Sequence, residues 1–345
     1  KNTFGDDHSL SLEYKSLAAK KNIIFVNIIS GRIQRFLTLQ NLLAPFALVV
    51  GFLQAVYYLV KYQPDLILSF GGYLSVPMVL AGWFLRIPVI SHEQGFAPGM
   101  ATKINAIFST RICVSWEESL KNFPSGKTVL TGNPLGEGIR KTYQEKSPFP
   151  FPNFKLPVIF ITGGNQGSHD INMIIKELLP SLLPWFIVIH QCGGHLGYHD
   201  ENDLKNYVKT MPESLQKNYF VISHIANEDM GIIYNRSALV IGRSGINTIS
   251  ELIYWQKKAI LIPLPFSQGK EQEKNARYLE NLGLGVVINQ NELTPDKLKT
   301  TIRLMLTREN KTDQAKITAV SSLFKNAAEK IAAEAFQIYD QKGSH

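Results

Sequence analysis

Short β-branched runs alternate with segments of helical period along nearly the whole chain. The runs predict strands at residues 23–29, 66–70, 89–91, 112–114, 129–131, 158–162, 186–191, 220–223, 239–241, 259–262 and 286–288. Between them, segments such as 78–85, 171–179 and 246–254 repeat apolar positions every three or four residues, as a helix packed on one side does. Strands alternating with helices build parallel sheets covered on both faces. Eleven strands exceed one ordinary open sheet. The pattern therefore predicts an α/β protein of two doubly wound domains.

Residues 147–157 (SPFPFPNFKLP) hold four prolines in eleven positions. Proline removes a backbone donor and keeps its predecessor out of the α region, so this stretch reads as an extended linker. It divides the chain into an N-terminal domain over 1–147 and a C-terminal domain over 148–312, followed by one Ala-, Lys- and Glu-rich helix within 313–345 that packs across the surface. Residues 36–60 carry no charge, a stretch that by length alone reaches the roughly 20 apolar residues of a spanning helix. Pro45, Gly51 and the polar Thr38, Gln40, Asn41 and Gln54 interrupt it. Three readings stand: a buried helix of an α/β domain, a helix flanked by Arg32, Arg35 and Lys61 that seats on a bilayer surface, or a span.

The length of 345 residues, with 45% hydrophobic and 19% charged residues, supports two real cores and excludes disorder, collagen and coiled coil. A formal charge of +8 favours anionic partners, namely nucleic acid, phosphorylated metabolites or an acidic membrane surface. No short block is rich in Lys and Arg, which argues against nucleic acid. Cys113 and Cys192 are the two cysteines, too few for a disulfide framework or a paired-cysteine zinc motif, and they fit a reducing, cytoplasmic setting. Residues 1–10 (KNTFGDDHSL) lack the apolar stretch of a signal peptide.

Ligands of open α/β sheets sit where strands lead into helix N-termini, and five such turns carry residues a core does not need. Gly71, Gly72 and Tyr73 follow LILSF, with Ser75 placed to cap the next helix; the glycines serve either a close ligand approach or a tight turn. His92, Glu93 and Gln94 follow PVIS, as a proton-transfer pair or as a hydrogen-bonded structural contact. Residues 163–168 (GGNQGS), with Asn165 central, offer backbone N–H groups to a phosphate without the spacing of a dinucleotide loop. Residues 243–251 (RSGINTISE) are the most specific signal. Ser244 and Gly245 open a helix, and Asn247, Thr248 and Glu251 share one face, so phosphate donors stand about one and a half turns from a carboxylate suited to a ribose diol. Residues 263–276 place Gln272 and Asn275 where sugar hydroxyls could be read, or simply start a solvated helix. Together these describe a site for a nucleoside diphosphate carrying a sugar, facing an acceptor site. No Ser-His-Asp order, zinc-ligand cluster or Walker lysine is present, so hydrolase and kinase readings are poor.

In sequence order, GGYLSVP, IPVISHEQ, TGNP at 131–134, GGNQGS, HQCG at 190–193, RSGINTISE and the stretch 272–276 resemble the MurG family, the UDP-GlcNAc transferases that complete the lipid-linked disaccharide of peptidoglycan. The resemblance implies a GT-B fold, two Rossmann-like domains facing a cleft. It implies that Ser244, Gly245, Ile246, Asn247, Thr248, Ile249, Ser250 and Glu251 hold UDP, with Glu251 on the ribose, Ile225 against uracil through its backbone, Gln272 on the GlcNAc and Asn165 in the phosphate loop. Gly71, Gly72, Tyr73, His92, Glu93 and Gln94 would face an undecaprenyl-diphosphate-linked acceptor. Residues 36–60 fall where the family seats peripherally on the cytoplasmic membrane surface, which raises that reading above the span.

The family opens with a strand and a GGTGGH-type loop whose His is the favoured general base. That pattern is not found here, so the resemblance leads one to expect it ahead of Lys1, leaving His92 and Glu93 as the catalytic candidates within the sequence. Gly95 and Gly136 stand where the family has Asn and Arg. The leading expectation is an inverting GlcNAc transfer to the muramoyl hydroxyl, without cofactor and with metal-independent stabilisation of the leaving group. The alternatives are a GT-B transferase acting on another lipid, or a UDP-sugar-binding module that needs a further segment.

Overall fold

The computed structural model describes residues 22–30, 39–142, 149, 154–194, 197–307 and 312–343. The chain forms two compact units, Lys1–Gly132 with Glu329–His345, and Asn133–Ala328. The division thus falls at Gly132–Asn133, ahead of the proline-rich stretch, most of which lies outside the described residues, as does the front of the apolar stretch.

The first unit contains α1 (Leu39–Tyr62), β1 (Ile67–Ser69), α2 (Ser75–Phe84), β2 (Val89–Glu93), α3 (Met100–Phe108), β3 (Arg111–Val114) and β4 (Thr128–Leu130). Its four strands lie in the order β1-β2-β3-β4, all parallel. Ala55 and Leu59 of α1 pack with Val79 and Ala81 of α2 and with Ile67 and Val89 of the strands. Ile331 and Ile338, from the C-terminal helix, cover Ile90 and Cys113. Segment 23–29, expected as a strand, joins no ladder. Its backbone runs against α1 instead: Ile29 N–H bonds Gln54 Oε1 at 2.8 Å, and a Cβ on Gly51 would stand 1.9 Å from Ile29 O.

One face of α1 buries Gly51, Ala55 and Leu59. The opposite face carries Phe46, Val49, Leu53, Tyr57 and Val60, spaced three and four apart and all exposed, Phe46 to 71% and Leu53 to 62%. Among the described residues no helix is long and apolar enough to cross a membrane.

The second unit contains α4 (Glu137–Arg140), β5 (Val158–Thr162), α5 (His169–Leu182), β6 (Ile187–Gln191), α6 (Asp200–Lys209), α7 (Glu213–Gln216), β7 (Tyr219–Ile222), α8 (Asn227–Arg236), β8 (Ser237–Gly242), α9 (Ile246–Tyr254), β9 (Ala259–Leu261), α10 (Glu271–Asn281), β10 (Gly285–Val287), α11 (Pro295–Thr307) and α12 (Gln314–Lys325). Its six parallel strands lie in the order β10-β9-β8-β5-β6-β7. The chain winds outward from β5 one way and, after β7, from β8 the other way, the doubly wound order of a Rossmann-like sheet. Its core joins Ile159, Ile161, Ile171, Leu179, Val188 and Ile241.

The single C-terminal helix expected after residue 313 is two helices. Asp313 caps α12 by accepting from Lys316 N–H at 3.0 Å, and Asn326 (φ −114°, ψ 17°) leaves helical geometry before α13 (Ala327–Gly343) begins. The break lies where the chain returns from the second unit to the first. Both units are Rossmann-like α/β folds.

Candidate active site

The point of reversed winding in the second unit lies between β5 and β8, where ligands of such sheets gather. Two turns leave it: residues 163–168 before α5, and 243–245 before α9. Gly245 is the N-cap of α9 (φ −61°, ψ 150°), and no side chain caps the helix. A Cβ on Gly245 would meet nothing within 4 Å, so the turn is open. The first bond closing the helix runs from Ile249 N–H to Gly245 O at 3.0 Å. The N–H groups of Ile246, Asn247 and Thr248 precede it as the unpaired donors of a helix start, aligned with the positive end of its dipole. This is the geometry that holds a phosphate.

Arg243 fixes the turn. Its Nη2 donates to Ser168 Oγ at 2.7 Å, and its Nη1 to the carbonyls of Ile262 and Pro263 at 3.1 and 3.3 Å. One guanidinium thus ties three strand-end turns together. Burial lowers its pKa, while Asp170 raises it. Ser168, bound to Arg243, does not cap α5 with its side chain. Ser244 is fully buried, its hydroxyl donating to Gln272 O at 2.7 Å, and Asn275 Nδ2 donates to Ser244 O at 3.0 Å. These bonds set the start of α10 against the start of α9.

The geometry corrects several side-chain expectations. Ile249 lies wholly in the core, and Ser250 is buried with its hydroxyl returning to Ile246 O at 2.9 Å. Together with the Ser244 hydroxyl these side chains shape the turn, so the three residues can offer a ligand backbone only. Asn275, also fully buried, cannot reach a sugar hydroxyl. Gln272 is partly exposed; its Oε1 accepts from Leu264 N–H at 3.0 Å, which leaves its Nε2 as the donor it can offer. Ile225 is buried and Asn165 exposed, so the first can present only backbone and the second a side chain.

Glu251, expected as an ionised acceptor, stands differently. Burial pushes its carboxyl up to about 7, against a lowering influence from the Tyr234 hydroxyl, which donates to Oε2 at 2.7 Å. Near neutrality this acid is poised between its two forms.

Residues 163–168 rest on close backbone packing. Gly167 (φ 77°) would place a Cβ 2.0 Å from Cys192 O, and Gly193 (φ 83°) one 2.2 Å from the Cα of Gly167. Beneath them runs a buried chain of bonds. Tyr219 OH meets His190 Nδ1 at 2.8 Å, His190 Nε2 meets Asn172 Oδ1 at 3.0 Å, and Asn172 Nδ2 donates to Asp200 Oδ2 at 2.7 Å. Burial brings His190 down to about 3, so it is neutral and structural.

In the first unit Gly71 (φ 76°) and Gly72 (φ 78°) make the turn after β1. Ser75 does not cap α2; its hydroxyl donates to Gly72 O at 2.7 Å, and the N-cap is Leu74. Tyr73 is partly exposed, its carbonyl accepting from Ser30 Oγ at 2.9 Å. His92 and Glu93, expected in a turn, are the last residues of β2, because pairing with Cys113 and Val114 extends the ladder through them. His92 is 1% exposed, with Nε2 3.0 Å from Gly132 O and 3.3 Å from Ser115 Oγ. Burial lowers its pKa, so it is a neutral, enclosed ring and not a reachable base. Glu93 Oε1 accepts from Gly95 N–H at 2.8 Å, and Gln94 O from Trp116 Nε1 at 2.8 Å. Among the described residues no three His, Cys, Asp or Glu gather as a metal site requires.

Three residues escaped sequence reasoning. Tyr234 carries no motif, Asn133 stood only as a letter of TGNP, and Arg243 as the residue before a phosphate turn. An Arg at the end of an apolar strand run, three residues before a helix, is a readable signal, whereas Tyr234 offers none.

Comparison with known proteins gives the family of the chain. Residues 158–334 match the glycosyltransferase family 28 C-terminal domain, and residues 11–114 its N-terminal domain. The chain is 35% identical over 82% of its length to UDP-N-acetylglucosamine--N-acetylmuramyl-(pentapeptide) pyrophosphoryl-undecaprenol N-acetylglucosamine transferase 3 of Bacillus thuringiensis, covering 78% of that protein. It is 34% identical over 89% of its length to the transferase of the same name from Clostridium perfringens, covering 84% of it. The crystal structure of Acinetobacter baumannii MurG superposes with a TM-score of 0.61 at 24% identity, covering 84% of this chain and 78% of that one. The chain belongs to glycosyltransferase family 28 and, within it, to the MurG family.

Proposed function

We propose that this protein is a UDP-GlcNAc-dependent hexosyltransferase that moves GlcNAc onto the lipid-linked MurNAc-peptide of peptidoglycan synthesis. The observation that carries the donor half is the uncapped start of α9 with Glu251 one and a half turns along it. The N–H groups of Ile246, Asn247 and Thr248 receive the diphosphate, Glu251 the ribose hydroxyls, Gln272 Nε2 a GlcNAc oxygen, and the backbone at Ile225 the uracil. In the transfer the muramoyl oxygen attacks the anomeric carbon from the face opposite UDP. The bond from that carbon to the β-phosphate oxygen breaks with its electron pair, and the hydroxyl proton passes to a base. Charge grows on the departing diphosphate, where fixed N–H donors act; removing one such donor typically costs about 10²–10³ in rate.

The acceptor half rests on the turn at Gly71–Tyr73 and on the exposed face of α1. Phe46, Val49, Leu53 and Tyr57 suit the interfacial layer of a bilayer, beside Lys61. Peripheral seating there would bring a lipid-linked substrate to the enzyme without a spanning helix.

The test is transfer of radiolabelled GlcNAc from UDP-GlcNAc to lipid-linked MurNAc-pentapeptide in mixed micelles. A labelled lipid disaccharide is the expected product. Transfer only to other glycolipids, or UDP-GlcNAc binding with no transfer, would overturn the assignment.

A further inference from the structure

The second unit opens with a residue whose bonding is unusual. Asn133 is 1% exposed, and its Nδ2 donates to Asn247 Oδ1 at 3.1 Å and to Ser250 Oγ at 3.0 Å. The Ser250 hydroxyl spends its one proton on Ile246 O, so toward Asn133 it can only accept. That fixes which end of the Asn133 amide faces α9. Both of its protons are used on α9, while its Oδ1 is buried without a partner. An unpaired buried acceptor is costly, and the fold carries that cost while keeping both donors on one helix.

The consequence lies at Asn247, the second residue of α9 and exposed. Its Oδ1 is held by Asn133, so its Nδ2 is the end left to face outward, beside the open turn at Gly245. We propose that Asn133 is a positioning residue for the donor diphosphate: it locks the Asn247 amide so that an N–H group, and not a carbonyl oxygen, is presented to the phosphates. This deepens the donor-site reading of α9 and rests on it. A freely rotating amide would offer the anion a repelling oxygen part of the time; a locked one adds a donor to the three backbone N–H groups at no reorganisation cost.

Calorimetry with UDP, and competition binding with uridine, which lacks the phosphates, test the assignment. Asn133→Ala and Asn133→Asp are expected to weaken UDP binding about tenfold or more, the scale of one charge-assisted hydrogen bond, while uridine binding holds. In an Asn247→Ala background the same substitutions should cost nothing further. An equal loss for uridine, or an undiminished loss in the Asn247→Ala background, would reduce Asn133 to a structural residue and overturn the proposal. Asn247→Ala, at an exposed position, should fold even where Asn133 variants do not, and unchanged UDP affinity in it is a second way to overturn. Gly245→Asp separates the two levels: if it leaves UDP binding intact, the donor-site reading of α9 falls, and the role of Asn133 with it.

Discussion

The hydroxyl of Tyr234 donates to Oε2 of Glu251 at 2.7 Å, across the gap between α8 and α9. The two residues stand seventeen apart in sequence, and their contact moderates the effect of burial on the group proposed to grip the ribose. Burial raises Glu251 from its ordinary 4.5 to about 7, and the Tyr234 bond works the other way.

A diol donates to the ionised form of Glu251, so UDP binding should release protons near pH 7 and strengthen as pH rises toward and past that value. Calorimetry in buffers of different ionisation enthalpy reads the release directly. Glu251→Gln should abolish it, and Tyr234→Phe should move the midpoint upward by removing a bond to the carboxylate. Binding without proton exchange in the wild type would refute the role of Glu251.

The same shift acts on stability. Between pH 4.5 and about 7 the unfolded chain has released a proton that folded Glu251 still holds, so the protein loses stability as pH rises through that window. Denaturant midpoints across the window should fall in the wild type, with this contribution missing in Glu251→Gln.

Gly245→Asp is expected to keep or slightly raise stability while removing UDP binding. Aspartate is a favoured N-cap, Gly245 has φ −61° and ψ 150°, and nothing lies within 4 Å of a Cβ there. Its carboxylate would occupy the place proposed for the diphosphate. A melting curve and a UDP titration on one sample decide it.

Two glycines of the turn at residues 163–168 should part company. Gly164→Ala (φ 79°, open space around the Cβ) should cost about 1–2 kcal/mol from the left-handed conformation alone. Gly167→Ala must also push aside Cys192 O, and about 3 kcal/mol or more is expected from urea melts.

Val49→Gln and Leu53→Gln should each weaken partition into anionic vesicles about tenfold, since each side chain loses its apolar burial in the interface. Thermal stability should stay within about 0.5 kcal/mol, because both residues are exposed. Unchanged sedimentation with vesicles would count against α1 as the seat.

Much of the fold was legible because β-branched runs and apolar spacing report which backbone conformation buries a face, and that is settled within a dozen residues. The alternation of strand and helix, the glycine-bearing turns after β1, β5 and β8, and the start of α9 proposed to hold a phosphate all came from such local pattern. Segment 23–29 misled because a β-branched run needs a neighbouring strand, which only the tertiary fold supplies; here it lies on α1 at Gly51. His92 looked like a base because residue type is visible, whereas a strand pairing that encloses it is not.

By itself, then, the sequence determined the α/β architecture, the turns that follow its strands and the residue types of the proposed nucleotide-sugar site. Only the tertiary structure decided their electrostatic state and orientation. Tyr234 and burial set the proton on Glu251, Arg243 joins three turns from separate strands, and Asn133 orients Asn247 from 114 residues away. Backbone conformation follows from neighbours in the chain, but the charge and hydrogen-bond direction of a side chain follow from neighbours in space, and those are chosen by packing.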